Sequence, residues 1–328
     1  MTLHSGIDSA PAGSDAEPRP NVSVVIASYR RAEELLAAIT SVLSQDCDAM
    51  ELLVVDQSET LDAATGSALT AIHDVRLRYF RVQPPSLPAA RNFGLQHARG
   101  AIVLFVDDDV RLHPGCVRAH WQAHSADTRV AAVVGRTVIP GRAPARRLPR
   151  IALTGRDHGG FDFARDGDVP TVLGCNMSFR TEILRDLGGF DTRFAGNAHR
   201  EESDVSFRLR RRGHRIRFCS SAVLDHLVAP QGGCRAGDPS RDGPHAFQNE
   251  FLFFLKNRPR VLLPCVLAGQ LLFGVLHPKV LRRRRTLRRL HSFGLGLAGA
   301  WRLLRRPPPP LVLERMRDLD RMSPGGVA

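Results

Sequence analysis

The chain has 328 residues, of which 43% are hydrophobic, 24% are charged and only 6% are aromatic. This composition excludes a disordered chain, a fibrous chain and a membrane protein with many spans, and it predicts a globular protein with a sizeable core. The length fits one large α/β domain with an appendage, or two domains.

The net charge of +13 is unevenly distributed along the chain. From residue 256 onward there are 16 basic and three acidic residues, whereas residues 1–255 contain 30 of each sign. A basic tail on a neutral body predicts a docking surface for a polyanion, either nucleic acid or an anionic membrane face.

The six cysteines and the first 20 residues bear on the compartment. The cysteines show no CxxC pair and no zinc-type spacing, so neither a disulfide framework nor a cysteine metal site is predicted. Residues 1–20 are polar and lack the basic and apolar regions of a signal peptide. We therefore expect a disordered leader and a cytoplasmic protein.

Short apolar runs alternate with helical patterns in the first third of the chain. We predict strands over 22–28, 51–58, 77–82 and 101–109, and helices over 32–43 and 89–98. This alternation predicts an α/β fold with a mainly parallel, twisted sheet flanked by helices. Ligands of such sheets bind outside the carboxyl ends of the strands, so Asp56 and Asp107–Asp109 are expected to face one crevice.

The second half of the chain continues with fewer elements. The stretch 140–150, rich in Pro and Arg, is expected to be an exposed loop. Thr181 and Gly188 are expected to cap and to end a short helix. The predicted elements are a strand over 171–180, helices over 181–190 and 204–213, and an extended run over 215–227.

Residues 261–278 are 18 consecutive uncharged positions, close to the shortest length that spans a membrane. Pro264, Gln270 and His277 weaken a spanning helix, and an arginine-rich stretch follows directly. The pattern favours an interfacial or re-entrant element beside an anionic leaflet, with a buried core helix as the alternative.

Three adjacent carboxylates, Asp107–Asp109, end the strand predicted over 101–109. They repel one another, and a divalent cation or a cationic substrate would neutralise them. Oxygen ligands suit Mg²⁺ or Mn²⁺, which would be shared with a diphosphate. A solvated acidic turn is the alternative.

Six segments in a fixed order carry a resemblance to a known family. They read VSVVIASYRR, ELLVVDQS, AARNFGLQHARGAIVLFVDDDV, LGCNMSFRTEILRDLGGFD, REESDVSFRLRRRG and AVLDH. Over about residues 20–230 the chain resembles a family 2 glycosyltransferase of the GT-A fold. The resemblance implies a catalytic domain over 21–255, with a nucleotide-sugar half over 21–139 and an acceptor half over 151–255. Residues 256–328 would form a basic, amphipathic, membrane-docking helical extension.

The resemblance also implies residues that bind the nucleotide-sugar donor. The wall of the base pocket corresponds to Ala27, Ser28 and Tyr29. Asp56 matches the carboxylate that accepts a hydrogen bond from the base. Arg91 and Asn92 open the helix beneath the donor, where a cation and an amide can steady phosphate or ribose oxygens.

The metal ligands implied by the resemblance come from two places. Asp107 and Asp109 match the DxD pair of the family, the first contacting ribose as well and the last holding the metal. Asp108 would share either task, and His226 occupies the place of a histidine that completes the metal shell in some members.

The general base is implied by the acidic start of a helix. Inverting transfer needs a group that takes the proton of the acceptor hydroxyl as its oxygen attacks the anomeric carbon. REESD aligns Glu202 with that base, and Asp204 is the alternative; interaction with the helix dipole is a third role for these acids.

From the motifs and the resemblance we predict a cytoplasmic inverting glycosyltransferase that uses Mg²⁺ or Mn²⁺ and docks on the anionic inner face of the cell membrane. It would transfer a sugar to a glycan or a lipid-linked acceptor. One alternative is a nucleotidyltransferase on a related sheet. Another is a nucleic-acid-binding protein acting through its arginine tail, which the lack of interleaved aromatics disfavours.

A pair of histidines is a second candidate metal site. His120 and His124 are four residues apart on a predicted helix and could clamp a metal. No third ligand follows nearby, so an exposed helix face is the better prediction.

Overall fold

The structure, a computed structural model, describes residues 20–47, 49–151, 157–233, 244–276 and 286–307. Its strands are β1 (Val22–Ser28), β2 (Met50–Asp56), β3 (Leu77–Arg81), β4 (Ile102–Asp107), β5 (Val110–Leu112), β6 (Val130–Val138), β7 (Arg150–Ile151), β8 (Asp157–His158), β9 (Gly167–Asp168), β10 (Asn176–Arg180) and β11 (Arg215–His226). Its α-helices are α1 (Ala32–Leu43), α2 (Ala63–Thr70), α3 (Leu87–His97), α4 (Cys116–Ala126), α5 (Thr181–Asp186), α6 (Glu201–Arg211), α7 (Pro244–Asn257), α8 (Leu263–Gly269) and α9 (Thr286–Leu304).

The central sheet has nine strands in the order β3-β2-β1-β4-β10-β6-β11-β5, with β9 paired to β11. Parallel pairs join β1 to β2 and β4, β2 to β3, and β6 to β11. β10 and β5 run antiparallel to their neighbours. The predicted α/β class with a mainly parallel sheet flanked by helices is confirmed.

Helical crossovers between the parallel strands set the register at one edge of the sheet. β1 and β2 end together, with Ser28 opposite Asp56. Asp107, the last residue of β4, lies opposite Ala27 of β1. β5 begins directly after the acidic residues and pairs with β11, which places His226 opposite Val110.

Alternate residues of the central strands enter two separate apolar layers, as the two-residue period of a strand requires. Val24 and Ile26 of β1 pack with α1 and α4, whereas Val25 packs with α3 and α6. Each is fully buried, which stabilises the fold by roughly 1.5 to 3 kcal/mol per side chain. Both faces of β1 are covered, so its sequence is apolar throughout.

The prediction of an exposed face for His120 and His124 is wrong. Both lie on the side of α4 that packs against the sheet, and both are buried. His120 bonds Ser178 and Asn176 at 2.8 Å, and His124 bonds the same serine hydroxyl at 2.9 Å. Polar partners on β10 make this burial tolerable, since buried polar groups need hydrogen bonds.

The second half differs from the sequence prediction mainly in element boundaries. The strand predicted over 171–180 begins only at Asn176. Thr181 is the first residue of α5 instead of its cap, and its hydroxyl donates to the Gly100 carbonyl at 2.7 Å. The helix predicted over 204–213 starts earlier, at Glu201, so the acidic motif lies in its first turn.

The C-terminal helices form a third layer beside α6. Phe247 and Phe251 of α7 pack with Val266, Val275 and Ala300. A Cβ on Gly296 of α9 would lie 2.6 Å from the Phe247 side chain, so glycine permits the close approach of α9 to α7. The domain boundary predicted between 255 and 256 falls inside α7, and the domain division stays a prediction.

Most of the apolar run 261–278 is helical. A 3₁₀ turn (Arg260–Leu262), α8 and a π-helical turn (Gln270–Val275) follow one another, while residues 277 and 278 lie outside the described ranges. In the ranges given above, no helix has the length and apolarity needed to cross a membrane. The leader predicted over 1–20 is also outside them, apart from residue 20.

Candidate active site

Three neighbouring strands end in polar residues at one edge of the sheet. Ser28 ends β1, Asp56 ends β2 and Asp107 ends β4, and the strand register aligns these ends. The structure therefore brings Asp56 and the acidic residues to one crevice, because carboxyl ends of parallel strands meet at the same edge.

Asp108 points inward from the crevice and is almost fully buried. Its carboxylate accepts hydrogen bonds from the Ser28 hydroxyl at 2.8 Å and from the Arg31 guanidinium at 2.6 Å. Burial raises the pKa of Asp108 to about 7, against the lowering effect of Arg31 and Ser28. Asp108 is thus bound within the protein on the inner side of the crevice.

Asp109 is held by the chain segment that follows β11. Its carboxylate accepts from the Ala229 backbone amide at 2.8 Å and lies 3.1 Å from Nε2 of His226 and 3.2 Å from Arg31. Burial acts to raise the pKa of Asp109, but the hydrogen bond and charge of His226 and the charge of Arg31 outweigh it, so the pKa is lowered. The carboxylate is ionised at neutral pH, as metal ligation requires.

A cluster suited to a cation is formed by Asp107, Asp109 and His226. Each offers one ligand atom, and these atoms lie within 4.8 Å of one another. The Asp107 side chain is 30% exposed whereas Asp109 is buried, so the cluster opens toward the crevice on the Asp107 side. Two carboxylate oxygens and an imidazole nitrogen form a donor set that fits a divalent cation.

The Asp56 carboxylate is buried at the end of β2 and has three protein partners. Oδ1 accepts from the Ser58 amide at 2.9 Å and from the Ser58 hydroxyl at 2.6 Å, and Oδ2 accepts from the Tyr79 hydroxyl at 2.6 Å. Burial and the neighbouring Asp56 charge raise the Tyr79 pKa, so the phenol remains a donor. These bonds fix the orientation of the carboxylate.

A cleft of about 470 Å³ adjoins Ser28 and Asp56. At its rim, Glu59 accepts from the Tyr29 hydroxyl at 2.7 Å and from Arg30 at 2.8 Å. The hydrogen bonds from Arg30 and Tyr29 lower the pKa of Glu59 to about 2. This arrangement ties the residues after β1 to those after β2, and Ala27 lies partly exposed where β1 ends.

Arg91 links the acidic residues to the start of α6. Its guanidinium is buried and donates to Asp107 at 3.2 Å and to the Gly174 carbonyl at 2.9 Å. It also forms an ion pair with Glu201, whose carboxylate oxygens have no hydrogen bond of ordinary geometry within the described ranges. The structure thus brings Arg91 to the site, but its donors point at protein acceptors.

Asn92, predicted beneath the donor together with Arg91, is enclosed by protein groups. Its side chain is buried, with the amide nitrogen 2.8 Å from the Phe190 carbonyl and the amide oxygen accepting from the Phe190 N–H at 2.7 Å. A Cβ at Gly189 would lie 2.3 Å from that oxygen, which shows how closely the chain passes. Asn92 thus anchors the segment after α5, and its predicted contact with the donor stays a prediction.

The first turn of α6 contains the acids of the REESD motif. Glu201 is buried against Arg91, whereas Glu202 is partly exposed. Arg200, just before the helix, has a left-handed backbone (φ 76°) and pairs with Glu250 of α7 at 2.9 Å. The start of α6 is therefore held by α7 on one side and by Arg91 on the other.

Asp204 is fully buried on the side of α6 that contacts α7. Its carboxylate is 2.8 Å from both Arg208 and Lys256, and it accepts from Asn257 at 2.7 Å. These partners leave the carboxylate bound inside the protein, which disfavours the alternative assignment of Asp204 as the base.

Arg31 contributes to the site but is not predicted from the sequence, and Glu201 is predicted only as one of the three acids that could be the base. Two arginines directly after a buried strand in ASYRR were the signal for Arg31. An arginine that is 8% exposed needs acceptors, and both neighbours of β1 in the sheet, β2 and β4, end in acids. Glu201 was visible only as the neighbour of Glu202.

Comparison with known proteins identifies relatives of this chain. The model of "Glycosyl transferase family 2" matches residues 23–188. A glucosyl-dolichyl phosphate glucuronosyltransferase of Haloferax volcanii is 27% identical over 221 residues, which cover 63% of this chain and 69% of the relative. The succinoglycan biosynthesis protein ExoO of Rhizobium meliloti is 31% identical over 173 residues, covering 50% of this chain and 44% of the relative. The chain thus spans less than half the length of ExoO.

Two solved structures share the fold. A mannosyltransferase of Pyrobaculum calidifontis, PcManGT, in complex with GDP-Man and Mn²⁺, superposes with a TM-score of 0.54 at 20% identity and covers 91% of both chains. GalNAc-T7 with UDP, GalNAc and Mn²⁺ superposes with a TM-score of 0.60 at 15% identity over 72% of this chain and 48% of that one. The predicted GT-A fold is confirmed.

Proposed function

Because the chain belongs to glycosyl transferase family 2, we propose that it is a metal-dependent, inverting enzyme that transfers a sugar from a nucleotide-sugar to a glycan or lipid-linked acceptor. The observation that carries the proposal is the cluster of Asp107, Asp109 and His226 beside the crevice at Ser28 and Asp56. The nucleotidyltransferase alternative is dropped, since the family assignment replaces it.

The donor side of the proposal rests on the residues around Asp56. The cleft of about 470 Å³ is in the size range of small-molecule sites. Asp56 would accept a hydrogen bond from the nucleotide base, with Ala27, Ser28 and Tyr29 lining the base pocket. Because Ser58 and Tyr79 already fix the carboxylate, it would meet the base without reorganisation.

Asp107, Asp109 and His226 would hold Mg²⁺ or Mn²⁺, both of which take carboxylate oxygens as ligands. When bound, the ion offsets the charge that develops on the departing diphosphate. The buried Asp109, fixed by Ala229 and His226, supplies a rigid ligand, while the more exposed Asp107 faces the donor. PcManGT and GalNAc-T7, which share this fold, were crystallised with Mn²⁺.

Glu202 is our proposed base. It is the partly exposed acid of the first turn of α6, whereas Glu201 pairs with Arg91 and Asp204 is enclosed by α7. In the proposed step the acceptor oxygen forms a bond to the anomeric carbon, and the bond from that carbon to the diphosphate oxygen breaks. The hydroxyl proton goes to Glu202, and attack from the side opposite the diphosphate inverts the configuration.

We also propose that the C-terminal layer docks on the anionic inner face of the cell membrane. Exposed large apolar residues cluster there: Val261, Leu272, Leu276, Leu287, Leu290, Leu295 and Trp301. Arginines lie next to these residues in the sequence, including Arg260, Arg288 and Arg302. A surface that is both apolar and basic fits the interface of an anionic leaflet, which would also present a lipid-linked acceptor.

The function is tested by supplying the full-length protein with UDP-, GDP- and dTDP-sugars in the presence of Mn²⁺, Mg²⁺ or a chelator. We expect release of the nucleoside diphosphate from one class of donor, only with metal, and a product of inverted anomeric configuration by NMR. Undiminished turnover in chelator would contradict the metal site, and retained configuration would contradict the roles given to Glu202 and the diphosphate.

A further inference from the structure

Arg31 lies between the acidic residues after β4 and the segment after β11. We propose that Arg31 is a positioning residue: it holds Asp108, Asp109 and residues 227–233 together, so that His226 stays in place to share a cation with Asp107 and Asp109. The identity of the cation site rests on the proposed function. The proposal adds Arg31 to the residues on which that site depends.

On the side of the acids, Arg31 contacts two carboxylates. One terminal nitrogen of its guanidinium lies 2.6 Å from Asp108 and 3.2 Å from Asp109. The arginine side chain is only 8% exposed, so water screens these contacts weakly. Its charge offsets part of the repulsion among three adjacent carboxylates while the metal is absent.

On the other side, the same guanidinium binds the backbone after β11. Nε donates to the Gln231 carbonyl at 2.8 Å, and the second terminal nitrogen lies 3.4 Å from the Gly232 carbonyl. The Gly233 amide donates to the Tyr29 carbonyl at 2.7 Å, two residues before Arg31. One planar group therefore connects the acids to a segment that lies 200 residues after Arg31 in the chain.

The segment is shaped to pass over this arginine. Gly232 and Gly233 have left-handed backbones, with φ of 70° and 55°. A Cβ on Gly232 would lie 2.5 Å from Cγ of Arg31 and 2.6 Å from the Arg30 carbonyl oxygen. A Cβ on Gly233 would lie 2.8 Å from Cζ of Arg31. Glycine is needed at both positions, because the Arg31 stem and the Arg30 carbonyl occupy the space at Gly232 and the guanidinium occupies it at Gly233.

The segment between His226 and the glycines needs such support. Val228 has a φ of 56°, a strained conformation for a β-branched residue, which persists only when its surroundings impose it. The Leu227 and Ala229 amides donate to the Asp109 carbonyl at 2.9 Å and to its carboxylate at 2.8 Å. Arg31 fixes both ends of this arrangement, Asp109 and the glycines.

Lysine could keep the charge of Arg31 but not its geometry. An ammonium group cannot reach two carboxylates and two carbonyls at once, because it lacks the planar fork of a guanidinium. Arg31→Lys therefore separates charge from positioning. Gly232→Ala provides a second, independent change, because it displaces the segment while leaving Arg31 intact.

The test measures Mn²⁺ binding to the full-length protein from the EPR signal of the free ion, without nucleotide, and amide hydrogen exchange of residues 227–233. For Arg31→Lys and Gly232→Ala we expect roughly 10- to 100-fold weaker Mn²⁺ binding, the usual effect of losing a residue that orients metal ligands. Exchange at Leu227 and Ala229 should become faster. Arg129→Lys, in a surface pair where Arg129 is 75% exposed, is the matched control and should change neither.

If Arg31→Lys and Gly232→Ala each leave exchange at Leu227 and Ala229 as in the wild type, Arg31 does not hold the segment and the inference is overturned. Faster exchange with unchanged Mn²⁺ affinity also overturns it, since the segment would then not position the ligands. A wild-type protein that binds no Mn²⁺ contradicts the proposed function instead, and the exchange measurement still decides whether Arg31 orders the segment. Should Arg31→Lys fail to fold, Arg31→Gln gives the result, because Gly232→Ala also strains the backbone of that glycine.

Discussion

Lys256 of α7 lies 2.8 Å from the Asp204 carboxylate of α6, and it also contacts Asp191. The contact joins the C-terminal layer to the helix whose first turn contains the proposed base. Lys256 is the first residue of the basic tail, and residues 1–255 before it are neutral. The tail therefore begins within the packing around α6. A cut at this residue would divide α7 and remove a cation from Asp204.

Replacing Lys256 with Met should destabilise the protein. Asp204 would remain buried with Arg208 and Asn257 but without one cation, and losing a hydrogen bond to a charged group costs about 1.5 to 3 kcal/mol. The urea midpoint should fall accordingly. Arg129→Met, at an exposed pair, is the control and should change stability by less than about 0.5 kcal/mol. Equal midpoints for both variants would show that Lys256 has no structural role.

Replacing Asp109 with Asn should abolish the metal dependence of nucleotide binding. The amide keeps the size of the carboxylate but removes its charge beside His226 and Asp107. Calorimetry of UDP and GDP with and without Mn²⁺ measures the effect, and Glu182→Gln, at an exposed position, is the control. Metal-dependent binding that persists in Asp109→Asn would rule out this cluster as the metal site.

Replacing Glu202 with Gln should lower kcat by about 10²- to 10⁴-fold and leave the donor KM near its wild-type value, since only proton acceptance is lost. Asp204→Asn is the comparison, because Asp204 is buried and bound by α7. It should reduce stability more than the turnover of folded enzyme. The opposite result, an active Glu202→Gln and an inactive but folded Asp204→Asn, would transfer the base to Asp204.

Stability should fall between pH 7 and pH 5 because of His120 and His124. Burial lowers their pKa values from 6.5 to about 4 and about 3. Below pH 6.5 the unfolded chain binds protons that the folded state excludes, so the stabilisation present above pH 6.5 is lost as the pH falls toward 4. The loss at pH 5 is roughly 1 to 2 kcal/mol per histidine. Urea unfolding at both pH values measures it, and His120→Gln should show a smaller loss.

Binding to anionic vesicles should depend on the exposed apolar residues of the C-terminal layer. Leu287 is 82% exposed and Val261 is 81% exposed, and their replacement by Ser removes apolar area without changing charge. Co-sedimentation of Leu287→Ser with Val261→Ser should fall well below that of wild type, and neutral vesicles should bind little. Val75→Ser, at an exposed apolar residue outside the C-terminal layer, is the control. Preferential binding of wild type to RNA would favour the nucleic-acid alternative.

The sequence predicts β1, α1 and the acidic end of β4 well because their patterns are local. The apolar run 22–28 can only be a strand buried on both faces, and the observed β1 has the predicted bounds. Asp56 and Asp107 could be assigned to one crevice because the topology of a parallel sheet, rather than any single contact, puts strand ends together. For these elements, the composition and spacing of the residues are sufficient to predict the structure.

The tasks of His120, Asn92 and Arg31 depend on partners that are distant in sequence. His120 is buried because Asn176 and Ser178 provide acceptors and donors on β10. Asn92 bonds Phe190, 98 residues away, and Arg31 bonds Asp108, 77 residues away. A polar side chain can face water or the interior, and only the tertiary partner decides between them.

The Arg91 guanidinium contacts Asp107 and Glu201, which belong to the predicted nucleotide-sugar half and the predicted acceptor half, respectively. Grafting the acceptor half of a relative onto the nucleotide-sugar half of this chain would therefore have to bring along a carboxylate for Arg91. Without it, a buried cation would lose one of its two anionic neighbours next to the metal ligands. A hybrid enzyme made to change acceptor preference would then lose donor binding as well, so the two preferences cannot be exchanged as independent modules.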